Sequence, residues 1–117
     1  MEFNSRIPIY LQVIDDIKKR LVTGRIEPGS KLPSTRELAV EYNINPNTAA
    51  RIYREMEAMS LCYTKRGLGT FATEDAQQID KIKNEMADSI VSGFVDEMRM
   101  LGFNKNQMIE AINKEVK

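Results

Sequence analysis

Histidine and tryptophan are missing from this sequence, cysteine occurs once, and proline only four times. Without histidine the chain lacks the commonest metal ligand and the side chain most used as a general base near neutral pH. The lone Cys62 can neither close an intramolecular disulfide nor supply a thiolate cluster. The expectation is a protein with no metal site, no cofactor and no catalytic residues, and therefore not an enzyme. Long apolar runs are missing too. Nothing approaches the ~20 residues needed to cross a bilayer, and no apolar signal region opens the chain. With so little cysteine, this points to a cytoplasmic protein with no membrane partner. Charge of one sign is also lacking, since 17 basic residues meet 17 acidic ones. A chain of zero net charge is poorly suited to coating nucleic acid indiscriminately.

What is present is ordinary globular material. The 117 residues are 42% hydrophobic and 29% charged, enough for one small domain with a helical appendage. The charge is unevenly divided: residues 1–73 hold 11 Lys and Arg against 8 Asp and Glu, whereas residues 74–117 hold 6 against 9. A basic half that faces phosphate and an acidic half held away from it would give this split, as would scatter in surface charge.

Pro8 suits the first turn of a helix, and Tyr10, Ile14, Ile17 and Leu21 then recur at helical steps as one buried stripe. Gly24 ends that helix, after Lys18, Lys19 and Arg20 have met the negative end of its dipole. Pro28-Gly29 marks a tight turn. Ser34 and Glu37 have the spacing of a capping box, which predicts a short helix from Thr35 to about Tyr42 with Leu38, Ala39 and Tyr42 inward. Asn43-Ile44-Asn45 interrupts the pattern; Asn45 as cap and Pro46 as first residue then restart it, to about Ala58. Two helices joined by so short a turn make a helix-turn-helix. At ~100° per residue, Ala49, Ile52, Tyr53, Met56 and Met59 share one side of the second helix, and Asn47, Ala50, Arg51, Arg54 and Ala58 share the other. Proteins of this arrangement lay the N-terminal part of the second helix on base edges, and alanines let its backbone come close. A plain solvated surface carries the same residues.

Beyond that helix, Leu61–Lys65 and Thr70–Thr73 read as two short strands around Arg66-Gly67-Leu68-Gly69, a hairpin whose tip offers Lys65 and Arg66 to phosphate. Positive φ in the turn explains Gly67 and Gly69, with phosphate contact a further role for Gly67. From about Asp75 to Met100, Ile79, Ile82, Met86, Ile90, Phe94 and Met98 recur at steps of three and four. Leu101-Gly102-Phe103 breaks the pattern, and Asn104 with Gln107 forms a second capping box for a helix carrying Met108, Ile109, Ile112 and Val116. So long an apolar stripe exceeds what one short partner covers, which favours self-association. Gly93 within the long helix suggests a close crossing or a kink. The fold class expected is mainly α with a small β-wing: an N-terminal winged helix-turn-helix over residues 1–73, then a two-helix dimerisation hairpin over residues 74–117. The dimer contacts expected are Ile82, Met86, Ile90, Phe94, Met98, Leu101, Ile109 and Ile112.

The segments Pro8-Ile9-Tyr10-Leu11-Gln12, Gly24-Arg25-Ile26-Glu27-Pro28-Gly29, Leu32-Pro33-Ser34-Thr35-Arg36-Glu37-Leu38-Ala39, Asn45-Pro46-Asn47-Thr48 and Arg66-Gly67-Leu68-Gly69-Thr70-Phe71 stand in this order. Together they resemble the GntR family of bacterial regulators. The short helical end, with Glu97-Met98-Arg99-Met100-Leu101-Gly102-Phe103, is similar to its YtrA-like subfamily, whose tail dimerises instead of enclosing a metabolite. The resemblance implies a repressor that binds an inverted-repeat DNA operator as a homodimer. It implies DNA contacts from Arg36, from Asn45, Asn47 and Thr48 in the groove, and from Arg66 and Gly67 in the wing. Pro46 and Ala50 replace basic residues of better-known subfamilies, which moves weight to Arg51 and Arg54. With Ser34 and Lys65 these complete the expected DNA-binding set. The residues leave two other readings open, a winged-helix protein-interaction module and a nonspecific architectural DNA-binding protein, and they do not disclose an effector.

Overall fold

A computed structural model describes residues 1–117 as five helices and one hairpin. In order they are α1 (Ile9–Val22), α2 (Thr35–Tyr42), α3 (Pro46–Ala58), β1 (Cys62–Lys65), β2 (Gly69–Ala72), α4 (Ala76–Met100) and α5 (Lys105–Glu115). The chain forms two compact units, Met1–Lys83 and Asn84–Lys117.

In the first unit α3 is the hub, packed against α1, α2 and β1. It inserts Ala49, Ile52, Tyr53 and Met56 among Val13, Ile14, Ile17 and Leu21 of α1, Leu38, Ala39 and Tyr42 of α2, and Leu61, Cys62 and Ala72 beside the hairpin. Complete burial of a side chain such as Ile52 or Met56 contributes about 1.5–3 kcal/mol. Two phenols pin the layers: Tyr42 Oη donates to Asp16 Oδ2 of α1 at 2.7 Å, and Tyr53 Oη donates to the Pro33 carbonyl. Burial pushes both phenols above their ordinary pKa range.

The turn between α2 and α3 depends on Asn43, a left-handed residue at φ 53° that caps α2 while its N–H returns to Ala39 and Val40. Asparagine tolerates this region better than other non-glycine residues do. In the hairpin, Cys62 faces Ala72 and Lys65 faces Gly69 in antiparallel register. The segment before α2 adds an edge that the sequence pattern does not disclose: Leu32 N–H donates to Thr70 O, and Ala72 N–H to Ser30 O, both at 2.8 Å. Pro28 and Pro33 flank this stretch, so no strand-like run marks it in the sequence.

Some expectations change. Tyr10 is half-exposed, and Val13 takes its place in the buried stripe of α1. The strands run from Cys62 and to Ala72, leaving Leu61 as a core residue before the hairpin. The first turns of α4 pack within the first compact unit, which runs to Lys83: Gln78 Nε2 donates to Met59 O at 2.7 Å and Ile82 is only 5% exposed. Ile82 is thus consumed by its own chain and is not available as a dimer contact.

In the second unit, Gly102 at φ 87° turns the chain after α4, and Phe103 N–H donates to Met98 O at 3.0 Å. The Asn104–Gln107 capping box then opens α5, both of its bonds at 2.9 Å. Met108 of α5 is buried and Phe94, Val95 and Met98 of α4 are half-buried. Gly93 has nothing within 4 Å of where a Cβ would stand, and α4 runs through it unbroken. It therefore marks neither a crossing within the chain nor a break.

Candidate nucleic-acid interface

Two helix starts bring the expected DNA-binding residues out of the first unit. At the start of α2, Ser34 Oγ accepts from Glu37 N–H at 3.1 Å and the Glu37 carboxylate accepts from Ser34 N–H at 2.9 Å. Those bonds, the backbone one foremost, hold the Glu37 carboxyl below its ordinary range. Arg36 lies in this first turn, exposed and without an acidic partner within the chain. At the start of α3, Asn45 Oδ1 accepts from Asn47 N–H at 2.7 Å, and Pro46 occupies the first helical position, where no N–H is needed. The positive end of the α3 dipole is thus presented between Asn45, Asn47 and the half-buried Thr48.

Along α3, the face opposite its core residues carries Asn47, Arg51, Arg54 and Ala58, all exposed, with Ala50 half-buried on its flank. The two arginines differ in their surroundings. Arg54 has no ion pair, whereas the Arg51 guanidinium carbon stands 3.8 Å from the centroid of the Tyr10 ring and its Nε 3.9 Å from Glu55 Oε1. Half of the Arg51 side chain is still exposed. The other acid of this helix, Glu57, accepts a hydrogen bond from the Thr64 hydroxyl of β1.

The wing tip is shaped by Gly67 at φ 79° and by the bond from Leu68 N–H to Lys65 O at 2.9 Å. Gly69, at φ 125°, also leaves room for Lys31, whose Cε would stand 2.8 Å from a Cβ there. Arg66 and Gly67 are exposed at the tip. Lys65 lies 5.1 Å from the Phe71 ring centroid and 5.7 Å from that of Tyr63, so its ammonium leans along the hairpin. The structure therefore exposes Ser34, Arg36, Asn45, Asn47, Arg51, Arg54, Lys65, Arg66 and Gly67, and leaves Thr48 partly accessible. The sequence reading missed the Tyr10–Arg51 stack. No local signal links two residues so far apart in the chain, although the Arg51–Glu55 spacing on one helix is legible.

Cys62 is buried, its thiol donating weakly to Tyr53 O at 3.9 Å, and burial pushes it up to about 12. A thiol so protonated is a poor nucleophile and plays no part in the interface. No helix is long and apolar enough to cross a membrane.

Known proteins share both the sequence and this geometry. The family profile described as bacterial regulatory proteins, gntR family, matches residues 9–72, from the start of α1 to the end of β2. The HTH-type transcriptional regulator YhcF of Bacillus subtilis is 45% identical over 111 residues, covering 95% of this chain and 92% of its own. The HTH-type transcriptional repressor YtrA of the same organism is 44% identical over 73 residues, covering 62% of this chain and 56% of its own. Among solved structures, a GntR family transcriptional regulator from Listeria monocytogenes superposes with a TM-score of 0.90 at 40% identity, covering 96% of this chain and 98% of that one. The DNA-binding domain of AraR in complex with operator ORR3 superposes with a TM-score of 0.55 at 29% identity, covering 62% of this chain and 86% of that one. These relatives are regulators, not enzymes. The chain belongs to the gntR family of bacterial regulatory proteins and is a DNA-binding transcriptional regulator with a winged helix-turn-helix.

Proposed function

We propose that the chain is a cytoplasmic repressor that binds an inverted-repeat operator as a homodimer, one α3 entering the major groove at each half-site. The observation that carries this reading is the two-sidedness of α3: Ala49, Ile52, Tyr53 and Met56 anchor it, while Asn47, Arg51 and Arg54 stand outward. Asn45 and Thr48 extend the contact at the helix start, where the dipole favours phosphate. Arg36 from α2 and Lys65, Arg66 and Gly67 from the wing hold the flanking backbone, with the Ser34 hydroxyl beside them. Phosphate contacts of this kind set register, and base-edge contacts from α3 set sequence preference. The relative named a repressor and the relative bound to its operator support the proposal by likeness.

The dimer uses the second unit. Its helices leave an apolar groove of about 360 Å³ lined by Ile90, Val91, Phe94, Met108, Ile109 and Ile112, and Leu101 is 72% exposed. Met86 and Met98 of α4 are half-buried and would join the contact. A second copy would cover it by an isologous contact.

Selection from random duplexes, followed by affinity measurement at physiological salt, tests the reading. A selected palindromic site should bind at least ~10³ more tightly than unrelated DNA. Equal affinity for all duplexes would identify a nonspecific architectural protein, and no DNA binding at all would identify a protein-interaction module.

A further inference from the structure

Tyr10 has left the core that the periodicity of α1 assigns it to, and its half-exposed ring lies beneath the Arg51 guanidinium, 3.8 Å from centroid to carbon. At that separation the guanidinium is well within cation–π range of the ring face. Glu55, with Oε1 3.9 Å from Arg51 Nε, biases the same side chain from its own helix. The two terminal nitrogens of Arg51 are left without a partner in the chain. The Tyr10 hydroxyl likewise has no hydrogen-bond partner, so the ring face is what it contributes here.

We propose that Tyr10 is a positioning residue for DNA recognition, its ring holding the Arg51 guanidinium in the orientation in which its outer N–H groups meet the duplex. The proposal rests on the reading of the α3 face as the DNA-contacting surface. An unrestrained arginine must give up much rotational freedom to form a directed contact, whereas one already stacked on a ring gives up less. The fork of the guanidinium suits a phosphate or the O6 and N7 of guanine, and a fixed plane makes that contact selective as well as tight. α1 thereby acts on base preference through a side chain of α3.

A double-mutant cycle on the full chain tests this, using the duplex selected by the unmodified protein and fluorescence anisotropy as readout. Tyr10→Leu removes the ring face and should weaken binding about two- to fivefold, the worth of an exposed cation–π contact. It should also relax base preference at the operator positions that Arg51→Ala relaxes. Tyr10→Phe, which keeps the ring, should rescue both. In the Arg51→Ala background, Tyr10→Leu should cost nothing further. Thermal unfolding of each variant separates loss of fold from loss of contact. If Tyr10→Leu costs as much without Arg51 as with it, the positioning role is overturned while the DNA contact of Arg51 survives. If Arg51→Ala binds like the unmodified protein, both the positioning role and the assignment of Arg51 to the DNA face fail.

Discussion

At the scale of single residues, cations with no partner in the chain separate from those already engaged. Arg36, Arg54 and Arg66 are exposed and make no ion pair, so each is free to replace counterions on a phosphate. Changing any one to alanine should lower the slope of log affinity against log salt by about 1, measured by anisotropy over a potassium chloride series. A residue that reads a base instead should alter preference at one operator position. Cys62 gives a different residue-scale expectation. Native burial raises its thiol to about 12, against about 8.5 in an unfolded chain. As pH rises above the unfolded value, the unfolded state releases this proton while the native state keeps it, so stability that is complete below pH ~8.5 is lost toward pH 12. Tyr42 and Tyr53, also raised by burial, act in the same direction at higher pH. Urea midpoints should therefore fall between pH 8 and 10, and the fall should flatten in Cys62→Ala. A Cys62→Ala protein with the same pH profile as its parent would remove the thiol from this account.

At the scale of elements, the sequence was most informative wherever a backbone requirement selects a residue type. Both capping boxes, Ser34 with Glu37 and Asn104 with Gln107, form as spaced, and Asn45-Pro46 starts α3 where it stands. What escaped is of another kind. The bridge at Lys31 has its flanking bonds supplied by Thr70 and Ala72 of β2, and the burial of Ile82 depends on the rest of the first unit. Tyr10 fits the helical stripe as well as Val13 does, and only the position of α3 decides which of them is enclosed. Periodicity locates a face, but it does not identify the neighbour that covers it. The DNA-facing candidates were legible because they combine a helix start, a capping residue and uncompensated cations; their order of importance was not. The cap itself makes a testable claim. Ser34→Ala should lower stability by about 1 kcal/mol, read as a shifted denaturation midpoint, and Ser34→Asp should recover most of it. Since the same cap sets the first turn that carries Arg36, Ser34→Ala should also weaken DNA binding while Ser34→Asp restores the fold but places a negative charge near phosphate.

At the scale of the whole molecule, the proposed repression would depend on joining two half-sites, because a single α3 offers few base contacts. In that proposal the second unit would supply the means in its apolar surface, and the choice of residue to alter there decides how clean the test is. Phe94 is half-buried beside Met108, so a charge at Phe94 would disturb the packing of α4 on α5 as well as any contact with a partner. Ile90 is 68% exposed and has little to lose within its own chain. In a dimer that covers this groove, Ile90→Asp would bury an unpaired carboxylate on each side of the two-fold axis, a large penalty for association. Ile90→Asp should therefore remain folded, sediment as a monomer at micromolar concentration, and bind the palindromic operator about a hundredfold or more weakly, while its affinity for an isolated half-site stays near that of the parent. The half-site measurement distinguishes lost avidity from damage to the winged helix. An unmodified chain that sediments as a monomer at the same concentration, or an Ile90→Asp chain that still binds the full operator as a dimer, would remove the second unit from the mechanism.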